Sequence, residues 1–138
     1  GRDRGCDRAR LAQIIFSSSA ERLWIEQHIH PFVRDRLVAG LTSLAAQGQS
    51  IAVLVVPLLF EARMTDLVTE IWVVRSTAQQ QIERLQERDH LDLSQISARI
   101  DSQMPIEKKL DRADVILDNS LTLEALFEQV DRAIKGDR

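Results

Sequence analysis

A chain of 138 residues, 44% hydrophobic and 28% charged, has the composition of one soluble globular domain with a core of its own. A formal net charge of −3 argues against a general nucleic-acid binder, which needs a basic surface. No apolar run approaches the roughly 20 residues that cross a bilayer. The charged start Gly1-Arg2-Asp3-Arg4 does not read as a secretory signal, and a single cysteine, Cys6, forms no internal disulfide; the expectation is a cytoplasmic protein.

Residues 1–5 are charged and aperiodic and read as a frayed terminus. Asp7 is placed to cap a short helix through Leu11, Ile14 and Ile15, and Ser19 to cap a second through Leu23, Ile25, Glu26 and Ile29. That helix meets His30-Pro31, where the lost backbone donor predicts a kink or a restart. Val33, Leu37, Leu41 and Leu44 form the stripe of a longer amphipathic helix ending near Gly48. The continuous run Ile-Ala-Val-Leu-Val-Val at 51–56, closed by Pro57, reads as a strand covered on both faces of a parallel sheet. Residues 71–74 and 115–117 read as two further strands, the last running into Asp118-Asn119. Helical patterns fill the spaces between: 78–88 after Ser76/Thr77, 94–103, 105–112 with proline at a favourable first position, and a closing helix over 123–134. Alternating strands and helices predict an α/β fold with a doubly wound parallel sheet. The insertion between residues 75 and 112 is a candidate lid, because ligands of open α/β sheets bind at the carboxyl edge of the strands.

Three constellations bear on chemistry. Arg84 and Arg88 share a helix face, and Arg99 and Gln103 follow at the same spacing on the next helix. Glu83, Glu87, Asp89 and Asp92 stand near enough to offset the like charge. Two readings fit: a solvated, salt-bridged surface, or an arm whose guanidinium groups neutralise a transferring phosphoryl group. The arginine skew suits bidentate phosphate recognition or reflects composition bias; the eighteen cationic residues include only three lysines, Lys108, Lys109 and Lys135. His30-Pro31 with Arg34 reads as a structural turn or an anion contact. His28, His30 and Cys6 lack the spacing of a zinc site, so no metal ligands are assigned. Val56-Pro57-Leu58-Leu59-Phe60-Glu61 ends a strand and delivers an acid, either as a solvent-facing turn or as a pocket wall. There is no Gly-x-Ser-x-Gly and no serine with the partners of a hydrolase triad.

The ordered set Leu-Ala-Gln-Ile-Ile-Phe at 11–16, Glu-Gln-His-Ile-His-Pro-Phe-Val-Arg at 26–34 and Val-Pro-Leu-Leu-Phe-Glu at 56–61 resembles the dephospho-CoA kinase family. The likeness continues through Gln-Ile-Glu-Arg-Leu at 81–85, Arg88-Asp89, Arg-Ile-Asp-Ser-Gln-Met-Pro at 99–105, Lys108-Lys109 and Ala-Asp-Val-Ile-Leu-Asp-Asn-Ser at 113–120. The resemblance implies a P-loop NTPase-like parallel sheet with flanking helices and a helical lid. It also implies phosphorylation of the ribose 3′-hydroxyl of dephospho-CoA, giving coenzyme A, with ATP and Mg2+. By position, His30, Pro31, Arg34, Pro57, Leu58, Leu59 and Glu61 line the acceptor site. Arg84, Arg88 and Arg99 cover the phosphates as catalytic residues, while Gln103, Asp118 and Asn119 lie near the nucleotide. Residues 11–50 form a helical acceptor-side region and 76–112 the lid, within one incomplete kinase domain over 1–138.

Two features depart from the family pattern. Asn119-Ser120 is followed by Leu121, where many members have glycine. No glycine precedes a Lys-Ser or Lys-Thr pair, so the chain holds no G-x-x-x-x-G-K-[ST] loop. Gly1 is not methionine either. The expectation is an N-terminally truncated kinase that lacks the P-loop strand, the Mg2+ site and the catalytic base, and is inactive alone. In such a sheet the missing strand lies between 51–56 and 71–74, which would then lose a shared partner. The alternatives are another small-molecule or nucleoside monophosphate kinase, separated by acceptor choice, and a non-catalytic remnant that retains a binding surface.

Overall fold

The computed structural model describes residues 8–136, so the predicted cap Asp7, Cys6 and the frayed terminus at 1–5 lie outside the described residues. The side chains of Ile14 and Ile15, named in the first helix, lie outside them as well. Two compact units, Gly1–Leu67 and Val68–Arg138, make up the chain.

In the first unit, α1 (Arg8–Ser17) packs against α2 (Ser19–Ala46). The cap of α2 is Ser18, one residue before the predicted Ser19; its side chain accepts from the Glu21 N–H at 3.4 Å. The helix does not restart at proline. A single helix of 28 residues runs through Pro31, because the missing N–H removes one bond while the turns on either side remain intact. The helix stops where predicted, with Gly48 at φ +80°, a left-handed position that glycine adopts without Cβ strain.

The expected strand at 51–56 is absent: these residues pair with no strand among the described residues. Ile51, Val53 and Val55 are 83%, 82% and 87% exposed, while Leu54 and Val56 are half-buried. β-Propensity alone does not make a strand, since the run becomes one only when a neighbour takes its backbone groups and covers its faces. Beyond Pro57 the chain coils into a turn held by Ala62 N–H to Leu58 O at 2.9 Å and Met64 N–H to Leu59 O at 3.0 Å. This turn buries Phe60 and Met64 and leads to a 3-10 turn at Thr65–Leu67.

The second unit is built on β1 (Trp72–Arg75) and β2 (Val115–Asp118), parallel, with Trp72 opposite Val115 and Arg75 opposite Asp118. Their register is set at the entrance, where Asp114 both donates its N–H to Ile71 O and accepts the Ile71 N–H on its carboxylate, each at 2.8 Å. Between the strands run α3 (Ala78–Asp89), α4 (Leu93–Asp101) and α5 (Ile106–Asp111); α6 (Leu123–Ile134) follows β2. Val115, Leu117 and Ala133 form the core, with Trp72, Leu126 and Val130 against it. Capping boxes start α3 (Thr77 with Gln80) and α4 (Asp92 with Gln95), each satisfying two otherwise orphaned donors. His90, at φ +54°, ends α3 in the left-handed region, so the chain turns at once into α4. Ile96, 1% exposed, anchors α4. Ile96→Ala is expected to cost about 2–5 kcal/mol, read as a lower urea midpoint at unchanged slope.

Candidate active site

The predicted site residues fall in both units. In the first, Arg34 of α2 forms a bidentate pair with Asp66 of the 3-10 turn, Nη1 to Oδ1 at 2.9 Å and Nη2 to Oδ2. That pairing holds the Asp66 carboxyl below its ordinary range. His30 is half-buried and Pro31 exposed on the same helix. His28 is held apart by its own helix, with Nδ1 2.7 Å from Trp24 O and its ring stacked on the Trp24 indole at 4.1 Å. Pro57 is exposed and Leu58, Leu59 and Glu61 are half-buried at the 57–63 turn.

In the second unit the arginines divide into two groups. Arg88 donates to Asp89 through Nε and Nη2, both at 2.9 Å, and Arg99 of α4 donates from Nη1 to the same carboxylate at 2.9 Å. Asp89 thus gathers two guanidinium groups from consecutive helices. Its carboxyl is held below the ordinary range, chiefly by the Arg88 hydrogen bonds against a counteracting desolvation. The Arg99 side chain is 27% exposed against 71% for Arg88, so Arg99 is the more shielded charge.

Arg84 is directed elsewhere. Its Nη2 donates to Asn119 O at 3.0 Å, in the loop that leaves β2. That loop is tightly built. Asp118 donates its N–H to Gln129 Oε1 at 2.8 Å, and its carbonyl accepts from Gln129 Nε2 at 2.9 Å, so one α6 amide substitutes for a strand neighbour. Asn119 N–H continues the ladder to Arg75 O at 2.7 Å. Asp118 Oδ1 accepts the Ser120 N–H at 2.9 Å, an Asx turn. The Ser120 side chain and then its backbone hold the Asp118 carboxyl below the usual range. Gln103 follows α4 with its side chain exposed and its N–H bonded to Ile100 O at 3.2 Å. A groove of about 620 Å³ lies between β2 and α6, lined by Ile116, Leu121, Glu128 and Arg132 among others, and of the predicted residues it takes in only Asp118.

The model for the family described as dephospho-CoA kinase matches residues 3–125. The chain belongs to the dephospho-CoA kinase family. The dephospho-CoA kinase of Trichormus variabilis is 51% identical over 132 residues, covering 96% of this chain and 66% of the relative. That of Gloeobacter violaceus is 49% identical over 128 residues, covering 93% and 60%. Among solved structures, Thermus thermophilus TT1252 is similar with a TM-score of 0.76 at 30% identity, over 95% of this chain and 66% of that one. A dephospho-CoA kinase from Campylobacter jejuni is similar at a TM-score of 0.59 and 25% identity, over 100% and 70%. The chain therefore spans about two thirds, 66%, of the length of the first curated relatives it matches.

For this dephospho-CoA kinase family member, sequence reasoning named the arginines but not Asp66, the partner of Arg34, nor Gln80 and Gln129, which hold the loop after β2. Asp89 was visible only as one of four nearby carboxylates. The other three serve elsewhere or show no arginine pairing: Asp92 caps α4 and Glu83 accepts from Gln79 at 3.1 Å. Asp66, Asp89 and Asp118 share a direction, each carboxyl lowered in the folded protein. Their contribution to stability is fully present above the unfolded aspartate value of about 3.9 and is lost as pH falls through the folded values. Urea midpoints measured from pH 7 to pH 3 are expected to hold level and then drop below about pH 4, with a shallower drop in Asp118→Asn.

Proposed function

We propose that this chain supplies the acceptor side and the phosphate-covering arm of a kinase that transfers the γ-phosphoryl group of ATP to the ribose 3′-hydroxyl of dephospho-CoA in the cytoplasm. The observation that carries the reading is the Asp89-linked pair, Arg88 and Arg99, in a chain of this family. Phosphoryl transfer asks a protein mainly for positioning and for cations around oxygens whose charge shifts. Two guanidinium groups already gathered by a carboxylate can exchange part of that contact for phosphate oxygens with little reorganisation. Asp118, Asn119 and Gln103 are assigned to the nucleotide side. His30, Pro31, Arg34 and the 57–61 turn are assigned to dephospho-CoA.

Among the described residues no group of three or more histidine, cysteine, aspartate or glutamate side chains is placed to hold a metal ion, so none of them is assigned to Mg2+, which in phosphoryl transfer is commonly held by one or two carboxylates together with substrate phosphates. The loop that grips the ATP phosphates is likewise proposed to lie outside these 138 residues, none of which form a G-x-x-x-x-G-K-[ST] motif. No helix is long and apolar enough to cross a membrane among the described residues. The test is acceptor choice by the completed kinase. Phosphorylation of dephospho-CoA supports the reading, and phosphorylation of a nucleoside monophosphate in its place overturns it.

A further inference from the structure

We propose that Gln80, assisted by Arg84, is a positioning residue that fixes the loop after β2 for the base of the nucleotide, and so sets ATP affinity and base selectivity. This inference rests on the kinase reading above. Gln80 uses both ends of its amide. Oε1 accepts the Thr77 N–H at 3.0 Å, completing the capping box of α3, and Nε2 donates to Ser120 O at 2.7 Å across 40 residues of sequence. One turn further along the same helix, Arg84 Nη2 takes Asn119 O at 3.0 Å. The first turns of α3 are thereby tied to the loop.

The tie leaves the loop backbone without spare groups. Asn119 donates to Arg75 O and accepts from Arg84, while Ser120 donates to the Asp118 carboxylate and accepts from Gln80. With all four backbone groups engaged, the half-buried Asn119 side chain is carried on a backbone fixed at both residues of the loop. A carboxamide offers a donor beside an acceptor. On the Hoogsteen edge that matches adenine, with its N7 acceptor beside the N6 amino donor, and mismatches guanine, whose N7 and O6 both accept there. Tightening this loop therefore improves ATP binding and discrimination against GTP without touching the phosphoryl group.

Gln80→Glu separates the two duties. The carboxylate keeps the acceptor for Thr77 N–H, which is the usual capping-box chemistry, but faces Ser120 O with an oxygen in place of a donor. In the kinase completed with its phosphate-gripping segment, Gln80→Glu is expected to raise the ATP dissociation constant about tenfold, the effect of a lost and repelled hydrogen bond. The ATP-over-GTP preference should fall by a similar factor, with kcat at saturating ATP within about twofold of the parent. Gln80→Ala adds loss of the cap and lowers the melting temperature further. Unchanged ATP affinity and base preference in Gln80→Glu overturn the proposal, as does a loss of kcat with affinity intact. If the parent binds ATP but does not phosphorylate dephospho-CoA, the acceptor reading falls and the ATP measurements still decide the clamp. A completed protein that binds no ATP overturns both.

Discussion

Arg99→Ala, made in the completed kinase, is expected to lower kcat about 100- to 1,000-fold, the scale set by losing one preorganised charge from a reacting phosphoryl group. The Michaelis constant for dephospho-CoA should change little, because the guanidinium is assigned to the transferring group and not to the acceptor. Arg88→Ala is expected to do less, since its side chain is far more exposed than that of Arg99 and water screens it. Stability should barely move in either case. When Arg99 is truncated, Asp89 keeps its two bonds to Arg88, and when Arg88 is truncated it keeps Arg99, so neither change strands the carboxylate. Arg99→Lys retains charge without the planar fork and should fall between the parent and alanine. Steady-state kinetics with urea titration on each variant checks all of this. Unchanged turnover in Arg99→Ala returns the cluster to the solvated-surface reading.

The parts of the fold that were legible in the sequence are those whose signals are local. Thr77 followed three residues later by Gln80, and Asp92 by Gln95, are capping boxes written in the chain, and α3 and α4 begin there. The two strands were legible because Val73, Val115 and Leu117 have buried company within their own unit. The run at 51–56 failed for the complementary reason. Its residues are as β-branched as those of β1, but strand formation is decided by a neighbour, which composition cannot supply. At Pro31 the local penalty predicts a break, but the helical turns on both sides carry α2 through it. At the site, helix spacing placed Arg84 and Arg88 on one face, yet their partners lie in different directions, Asn119 and Asp89. Asp89 is the neighbour of Arg88 in α3, its second arginine, Arg99, comes to it past the left-handed turn at His90, and Asn119 is placed by the exit of β2, none of which is encoded in a period of 3.6.

The 138 residues alone are expected to show no phosphorylation of dephospho-CoA, and the same residues joined to a segment bearing G-x-x-x-x-G-K-[ST] are expected to show it. A P-loop holds triphosphate through successive backbone amides, a lysine and a hydroxyl on Mg2+. Here Gly40 lies within α2 and Gly48 and Gly136 follow helix ends, while Lys108 and Lys109 sit on α5 and Lys109 is buried. None of these can assemble that cradle. Arginines alone leave the phosphates ungripped, and the loss is of the whole reaction, not of one contact. Ile51, Val53 and Val55 are the most exposed large apolar side chains among the described residues, and a joined strand that pairs with 51–56 would cover them and take up its backbone groups. Activity and order should therefore appear together. A coupled assay for turnover and hydrogen exchange at residues 51–56 measure the two. Exchange that slows in the joined protein along with the onset of turnover supports a sheet completed across this run. Turnover by the 138 residues alone would overturn the account, and turnover in the joined protein with exchange at 51–56 still fast would show that the catalytic loop acts without that pairing.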